Sequence, residues 1–174
     1  MCGISGFISN ELDKSSILEI AKRMSEELKH RGPDNSGIWF DQYIGIALAH
    51  QRLSIVDLSI AGSQPMRSYC GRYYIAFNGE IYNHLDIRSQ IKDSIEWKGH
   101  SDTETLINAI SYFGIEKTLK KIVGMFSFAL WDKKLRKLIL AKDRVGEKPL
   151  YYGFSGKSLV FASELKAILK FPNF

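Results

Sequence analysis

The chain begins MCGISGF, which places a cysteine directly behind the initiator methionine. Methionine before a small residue is commonly trimmed, and loss of Met1 would put the Cys2 thiol and a free α-amine on one residue. A free thiol with a pKa of about 8.5 is only slightly ionised at neutral pH, so a nucleophilic cysteine needs a base. An α-amine with a pKa of about 7.7 to 8.0 can take that proton, directly or through water, and return it to a leaving amine. Position alone does not decide the matter. A Met-Cys start taken by itself fits a small apolar side chain in a first strand better than a nucleophile.

Other residues with chemical potential each have a plain structural reading. Asn78-Gly79 lies between apolar runs, the strongest short-range hairpin signal, although the second run, IYN, is short. Arg52 could form a surface salt bridge at a strand end. Asp102 opens a helix, where an acid favours the macrodipole in any protein. Arg31, Gly32, Pro33 and Asp34 make a loop that also stops a helix. His30, His50, His84 and His100 are assigned no chemical step, and Cys70 is taken as an inert thiol.

The elements that must position these residues are legible as patterns. Ser16 and Glu19 have capping-box spacing, and Ile17, Ile20, Ala21, Met24 and Leu28 repeat at helical intervals, predicting a helix over 17–30 that Gly32 and Pro33 end. From Ile38 the period becomes two, with Ile44, Ile46 and Leu48 on one face and Gly45, Ala47 and Ala49 on the other. GRYYIAF, MFSFALW, LRKLILA, PLYYGF and KSLVFA read as further strands joined by short polar turns, hence antiparallel hairpins. Asn83 is placed as the cap of a short helix over 85–91. SDTE at Ser101 to Glu104 opens another helix, and ASELKAIL makes a short terminal one.

The 174 residues suit one domain with a sizeable core, since chains near this length bury about 70% of their unfolded surface. A hydrophobic content of 45% with 25% charge excludes a disordered chain. The net charge of +5 gathers between Lys117 and Lys148, but Asp132, Asp143 and Glu147 interrupt it and no nucleic-acid recognition motif accompanies it. A solvated basic face is the better reading. Two cysteines without metal spacing fit a reducing compartment, and no apolar run reaches membrane-spanning length, so a cytoplasmic protein is expected.

MCGISGF, HRGPDNSG, LAHQRLSIVDLS, FNGEIYNH, SDTETL, GMFSFALWD, DRVGEKPLYY and FASELKAIL together resemble the glutaminase domain of asparagine synthetase and related amidotransferases. These are class II glutamine amidotransferases of the N-terminal-nucleophile hydrolase type. The resemblance covers nearly the whole chain. It implies an α+β, four-layer αββα sandwich of two antiparallel sheets between helix layers.

It also implies roles. Cys2 is the nucleophile; the Asn78 side-chain amide and the Gly79 N–H form an oxyanion hole. Arg52 binds the α-carboxylate of glutamine, Asp102 its α-ammonium, and the backbone of Leu53 and Ile55, with Glu80, completes the substrate wall. The expected reaction is hydrolysis of L-glutamine to glutamate and ammonia through a γ-glutamyl thioester, with no metal or cofactor. ATP and magnesium are expected only in a C-terminal or separate ATP-dependent synthetase domain, whose SGGxDS phosphate loop does not occur in these residues. A cysteine amidase acting on another amide, and a non-catalytic regulatory module of the same fold, are the alternatives. A homo-oligomer is compatible with all three, whereas DRVGEKPLYY is given no chemical step.

Overall fold

The computed structural model describes residues 1–13, 15–54, 57 and 59–174. Among these residues two antiparallel sheets stack between helices. The first sheet contains β1 (Gly3–Ile8), β2 (Asn35–Asp41), β3 (Ile46–Arg52), β8 (Tyr151–Ser155) and β9 (Ser158–Ala162), in the order β2-β3-β1-β9-β8. The second contains β4 (Met66–Arg67), β5 (Tyr73–Ile81), β6 (Gly124–Asp132) and β7 (Lys137–Lys142), in sequence order. Strands from the two ends of the chain thus share one sheet, with β1 between β3 and β9.

Strand alternation assigns each face. Ile4, Ile46, Leu48, Ala76, Ala129, Trp131 and Phe161 form the apolar layer between the sheets. Phe7, Ala47, Val160 and Ala162 point the other way, against α1 (Ser16–Glu26) and α5 (Leu165–Ile168). The small Ala47 lets Ile17, Ala21 and Met24 lie close on β3. On the far side Ile75, Phe77, Phe126, Phe128 and Leu130 pack against Leu106, Ile107 and Ile110 of α3 (Asp102–Phe113). Two shorter helices, α2 (His84–Ser89) and α4 (Ile115–Lys121), flank α3. The expected αββα layering is therefore observed. Among the described residues no helix is long and apolar enough to cross a membrane.

Several local expectations need correction. Ser16 is inside α1 rather than at its cap; Ser15 precedes the helix, and its hydroxyl turns back to the Asp13 carboxylate. The helix stops at Glu26 and a separate 3-10 turn covers Lys29–Arg31. Gly32 does not adopt the left-handed conformation: its φ is −150°. A Cβ there would strike the Gln51 carbonyl oxygen, so close backbone approach explains the glycine. Ile44 and Gly45 belong to a turn, with Gly45 at φ 78°, so β3 begins at Ile46. Asn83 caps no helix with its side chain; it bridges the Lys121 carbonyl and the Val123 N–H instead. Ser101 does cap α3, accepting the Glu104 N–H at 3.1 Å.

Candidate active site

β1 and β3 bring the chain start to Arg52. Their register pairs Gly3 with Gln51, so Cys2 emerges beside the end of β3. There the Leu53 N–H donates to Cys2 Sγ at 3.4 Å, and the thiol reaches the Leu53 carbonyl at 3.6 Å. Cys2 is half-buried, and burial pushes its thiol above the ordinary value against the opposing pull of the Leu53 N–H, the N-terminal amine and Arg52. The RGPD loop braces the same corner. Arg31 Nε donates to the Cys2 carbonyl at 3.0 Å and its NH1 to Glu164 at 2.9 Å, while Asp34 accepts the Ser54 N–H at 2.8 Å.

β5 supplies the facing wall through an edge that its neighbour does not cover. β4 pairs only with Tyr74 and Ile75, so beyond Ile75 the odd-numbered residues of β5 direct their peptide groups away from β6 and into the site. Phe77 N–H donates to Gln64 Oε1 at 2.7 Å, and the Phe77 carbonyl is 3.0 Å from His50 Nε2. Ile81 N–H donates to Asp102 Oδ2 at 2.9 Å. Between them, the same alternation aims the Gly79 N–H at the site. Asn78 is 1% exposed, and its Nδ2 is buried without a hydrogen-bond partner. An unpaired amide donor and a strand-edge N–H are suited to receiving negative charge on an oxygen atom.

The Asn-Gly pair thus forms no hairpin. It lies within β5, opposite Ser127 and Phe126 of β6. A Cβ on Gly79 would run into the Met125 carbonyl oxygen, so only glycine lets β6 approach here.

Arg52 and Asp102 bring opposite charges to the cavity. The Arg52 guanidinium is 2.9 Å from the Ser59 carbonyl and also donates to the Asp57 carbonyl. The buried Asp57 carboxylate in turn accepts from the Ser59 N–H and hydroxyl and from the His100 N–H, fastening the loop that holds Arg52. Asp102 is 6% exposed; burial raises its pKa, although the N–H groups of Ile81 and Thr103 favour the carboxylate.

Cys2, Arg52, Leu53, Asn78, Gly79, Glu80 and Asp102 line one cavity of about 110 Å³. Of the residues expected from the sequence, only Ile55 lies outside the described residues. Asp57, Gln64 and Lys148 also line the cavity and were not anticipated. Asp57 stood inside the RLSIVDLS block, and Lys148 inside DRVGEKPLYY. In that second block the Asp143 carboxylate collects the N–H groups of Val145, Gly146, Glu147 and Lys148, forming the turn that delivers Lys148 to the cavity lip beside Met1.

The histidines divide by environment. His50 is fully buried, and burial lowers its pKa to about 4, whereas the side chains of His30 and His100 are 52% and 70% exposed. Cys70, expected to be an inert thiol, is the more accessible of the two cysteines. It is exposed; partial burial raises its pKa, but hydrogen bonding with Ser68, Ser111 and the Arg72 N–H outweighs that and lowers it.

Comparison with known proteins agrees with this fold. Residues 1–174 match the model of the glutamine amidotransferase domain. The chain is 38% identical to amidase chry2 of Gibberella zeae, with 98% of this chain and 27% of the relative covered. It is 37% identical to asparagine synthetase [glutamine-hydrolyzing] 3 of Bacillus subtilis, covering 99% of this chain and 28% of that protein. Identity to asparagine synthetase B of Escherichia coli is 36%, over 97% of this chain and 30% of the relative. The chain therefore spans under a third of the length of these three relatives. A solved structure of glutamine phosphoribosylpyrophosphate amidotransferase from B. subtilis superposes with a TM-score of 0.78 at 23% identity, covering 96% of this chain and 43% of the other. That likeness is one of fold. The chain belongs to the glutamine amidotransferase domain family.

Proposed function

We propose that this domain hydrolyses the side-chain amide of L-glutamine through a Cys2 thioester and supplies ammonia to an ATP-dependent synthetase of the asparagine synthetase kind. The observation that carries the reading is the convergence on one cavity of a thiol, an unpaired amide donor and two opposite charges: Cys2, Asn78, Arg52 and Asp102. With Met1 removed, the Cys2 α-amine accepts the thiol proton and the sulfur attacks the carboxamide carbon. Charge passes to the carbonyl oxygen, which meets Asn78 Nδ2 and the Gly79 N–H. The C–N bond then breaks as the α-ammonium returns its proton to nitrogen, and ammonia departs. Water attacks the thioester, and cleavage of the C–S bond releases glutamate and restores the thiol.

Arg52 and Asp102 select the substrate. The remaining N–H groups of the Arg52 fork suit a carboxylate, and Asp102 suits an ammonium, so together they fit a free α-amino acid. Glu80 and the Leu53 backbone complete the wall. The hydrolysis needs no metal or cofactor; ATP and magnesium belong to the partner reaction.

A second reading has a specific motive, because relatives of comparable identity are named amidases. A substrate lacking a free α-amine would leave Asp102 unpaired, which favours glutamine over an N-acylated compound. Purified protein lacking Met1, given glutamine without ATP, is expected to release glutamate and ammonia in equal amounts. N-acyl-glutamine should be a poor substrate. Asn78→Ala should lower kcat by about 100-fold or more. Preference for the N-acyl compound would favour the amidase reading, and no turnover of either would overturn both.

A further inference from the structure

Phe77, immediately before Asn78, has both of its peptide groups held by side chains where a strand would ordinarily hold them. The β4–β5 register pairs Met66 with Ile75, so the next hydrogen-bonded partner along β5 would be the backbone of Gln64 opposite Phe77. β4 covers only Met66–Arg67, and Gln64 offers its side-chain amide instead. Gln64 Oε1 accepts the Phe77 N–H at 2.7 Å and Nε2 reaches Thr103 Oγ1 at 3.3 Å. His50 serves the next peptide, Phe77–Asn78: its Nε2 lies 3.0 Å from the Phe77 carbonyl, which can only accept, so Nε2 carries the hydrogen. Gln64 is 8% exposed and His50 wholly buried, so water does not readily replace either bond.

We infer that Gln64, with His50, is a positioning residue that sets the aim of the Asn78 amide and the Gly79 N–H. The inference rests on the glutaminase reading and extends it to residues outside the expected site. The aim of two N–H donors at an oxyanion is a matter of tenths of an ångström, and the peptide leading into Asn78 fixes the strand's rotation there. Gln64 also joins the preceding peptide, Ala76–Phe77, to Thr103, the neighbour of Asp102. The donors for the reacting oxygen and the carboxylate for the substrate ammonium therefore share one support.

The test separates oxyanion stabilisation from substrate binding. L-Glutamate and open-chain L-glutamate γ-semialdehyde both present the α-groups read by Arg52 and Asp102. Only the aldehyde, when the Cys2 thiol adds across its carbonyl and the proton passes to oxygen, places a tetrahedral oxygen beside Asn78 and Gly79. Gln64→Met removes both hydrogen bonds at nearly constant volume. It is expected to lower kcat and aldehyde affinity together by about 30-fold, while glutamate affinity stays within about 3-fold. Thr103→Val leaves Gln64 in place but unanchors its amide, and should show the same pattern at about 3- to 10-fold. It decides the question if Gln64→Met shows no cooperative melt. Unchanged aldehyde affinity in a folded variant, or equal weakening of glutamate and aldehyde, overturns the inference and leaves the glutaminase reading intact. Wild-type protein that neither hydrolyses glutamine nor binds the aldehyde overturns both.

Discussion

The Asp102 carboxylate accepts the Ile81 N–H at 2.9 Å, closing the edge of β5 two residues beyond Gly79. One side chain thus both presents charge to the cavity and fixes the strand that carries Asn78, so the choice of substitution matters. Asp102→Asn keeps an oxygen for Ile81 and loses the charge. We expect the KM for glutamine to rise at least about 10-fold with kcat within about 3-fold of wild type. Asp102→Ala also frees the strand edge, and kcat should fall with it. Steady-state glutaminase kinetics on the pair resolve the two effects.

The two thiols should respond to different reagents. Cys70 is exposed and its pKa is lowered, whereas burial raises that of Cys2. Iodoacetamide at neutral pH should therefore label Cys70 first, and an electrophilic glutamine analogue should label Cys2. Peptide mapping after each reagent checks both halves. If Cys2 takes the glutamine analogue no faster than iodoacetamide, substrate recognition does not direct the reaction.

Burial lowers the His50 pKa from 6.5 to about 4, so at intermediate pH the unfolded chain binds a proton that the native state refuses. The stabilisation from neutral His50 is present above pH 6.5 and declines as the pH falls toward 4. Urea unfolding at a series of pH values should show this decline. In His50→Gln the slope through that window should flatten.

Met1 lies at the cavity lip, with its Sδ 3.6 Å from Lys148 Nζ. While it is attached, the Cys2 nitrogen is a peptide nitrogen with no useful basicity. Protein whose intact mass includes Met1 should turn over glutamine near background but still bind it through Arg52 and Asp102. Trimming by methionine aminopeptidase should restore activity. Full activity with Met1 retained would exclude the α-amine as base.

The layers and most strands were legible because both depend on periodic patterns that the chain repeats without interruption. β6 and β9 match their apolar runs closely, and Ser101 caps α3 as its spacing requires. Local signals failed where a distant partner competed for the same group. Asn83 caps no helix because its amide holds the Lys121–Val123 segment, and Asn78-Gly79 makes no turn because β6 pairs with it throughout. α4 went unseen because its seven residues read as part of a basic stretch. In the cavity, Cys2 and the charged pair could be named from family motifs. Gln64 could not, since its role depends on the strand that stops beside it and on a peptide thirteen positions away.

β4 stops after two residues. In its register, two more hydrogen-bonded steps would set Gly62 against Gly79, and the N–H aimed at the cavity would become an ordinary rung of a ladder. The chain instead turns at Ile60–Gly62 and spends that backbone on the loop around Arg52. The length of β4 is therefore as much a part of the site's geometry as the thiol. A variant that lengthened β4 toward Gly62 could gain sheet and stability while losing turnover, with every cavity-lining side chain still in place.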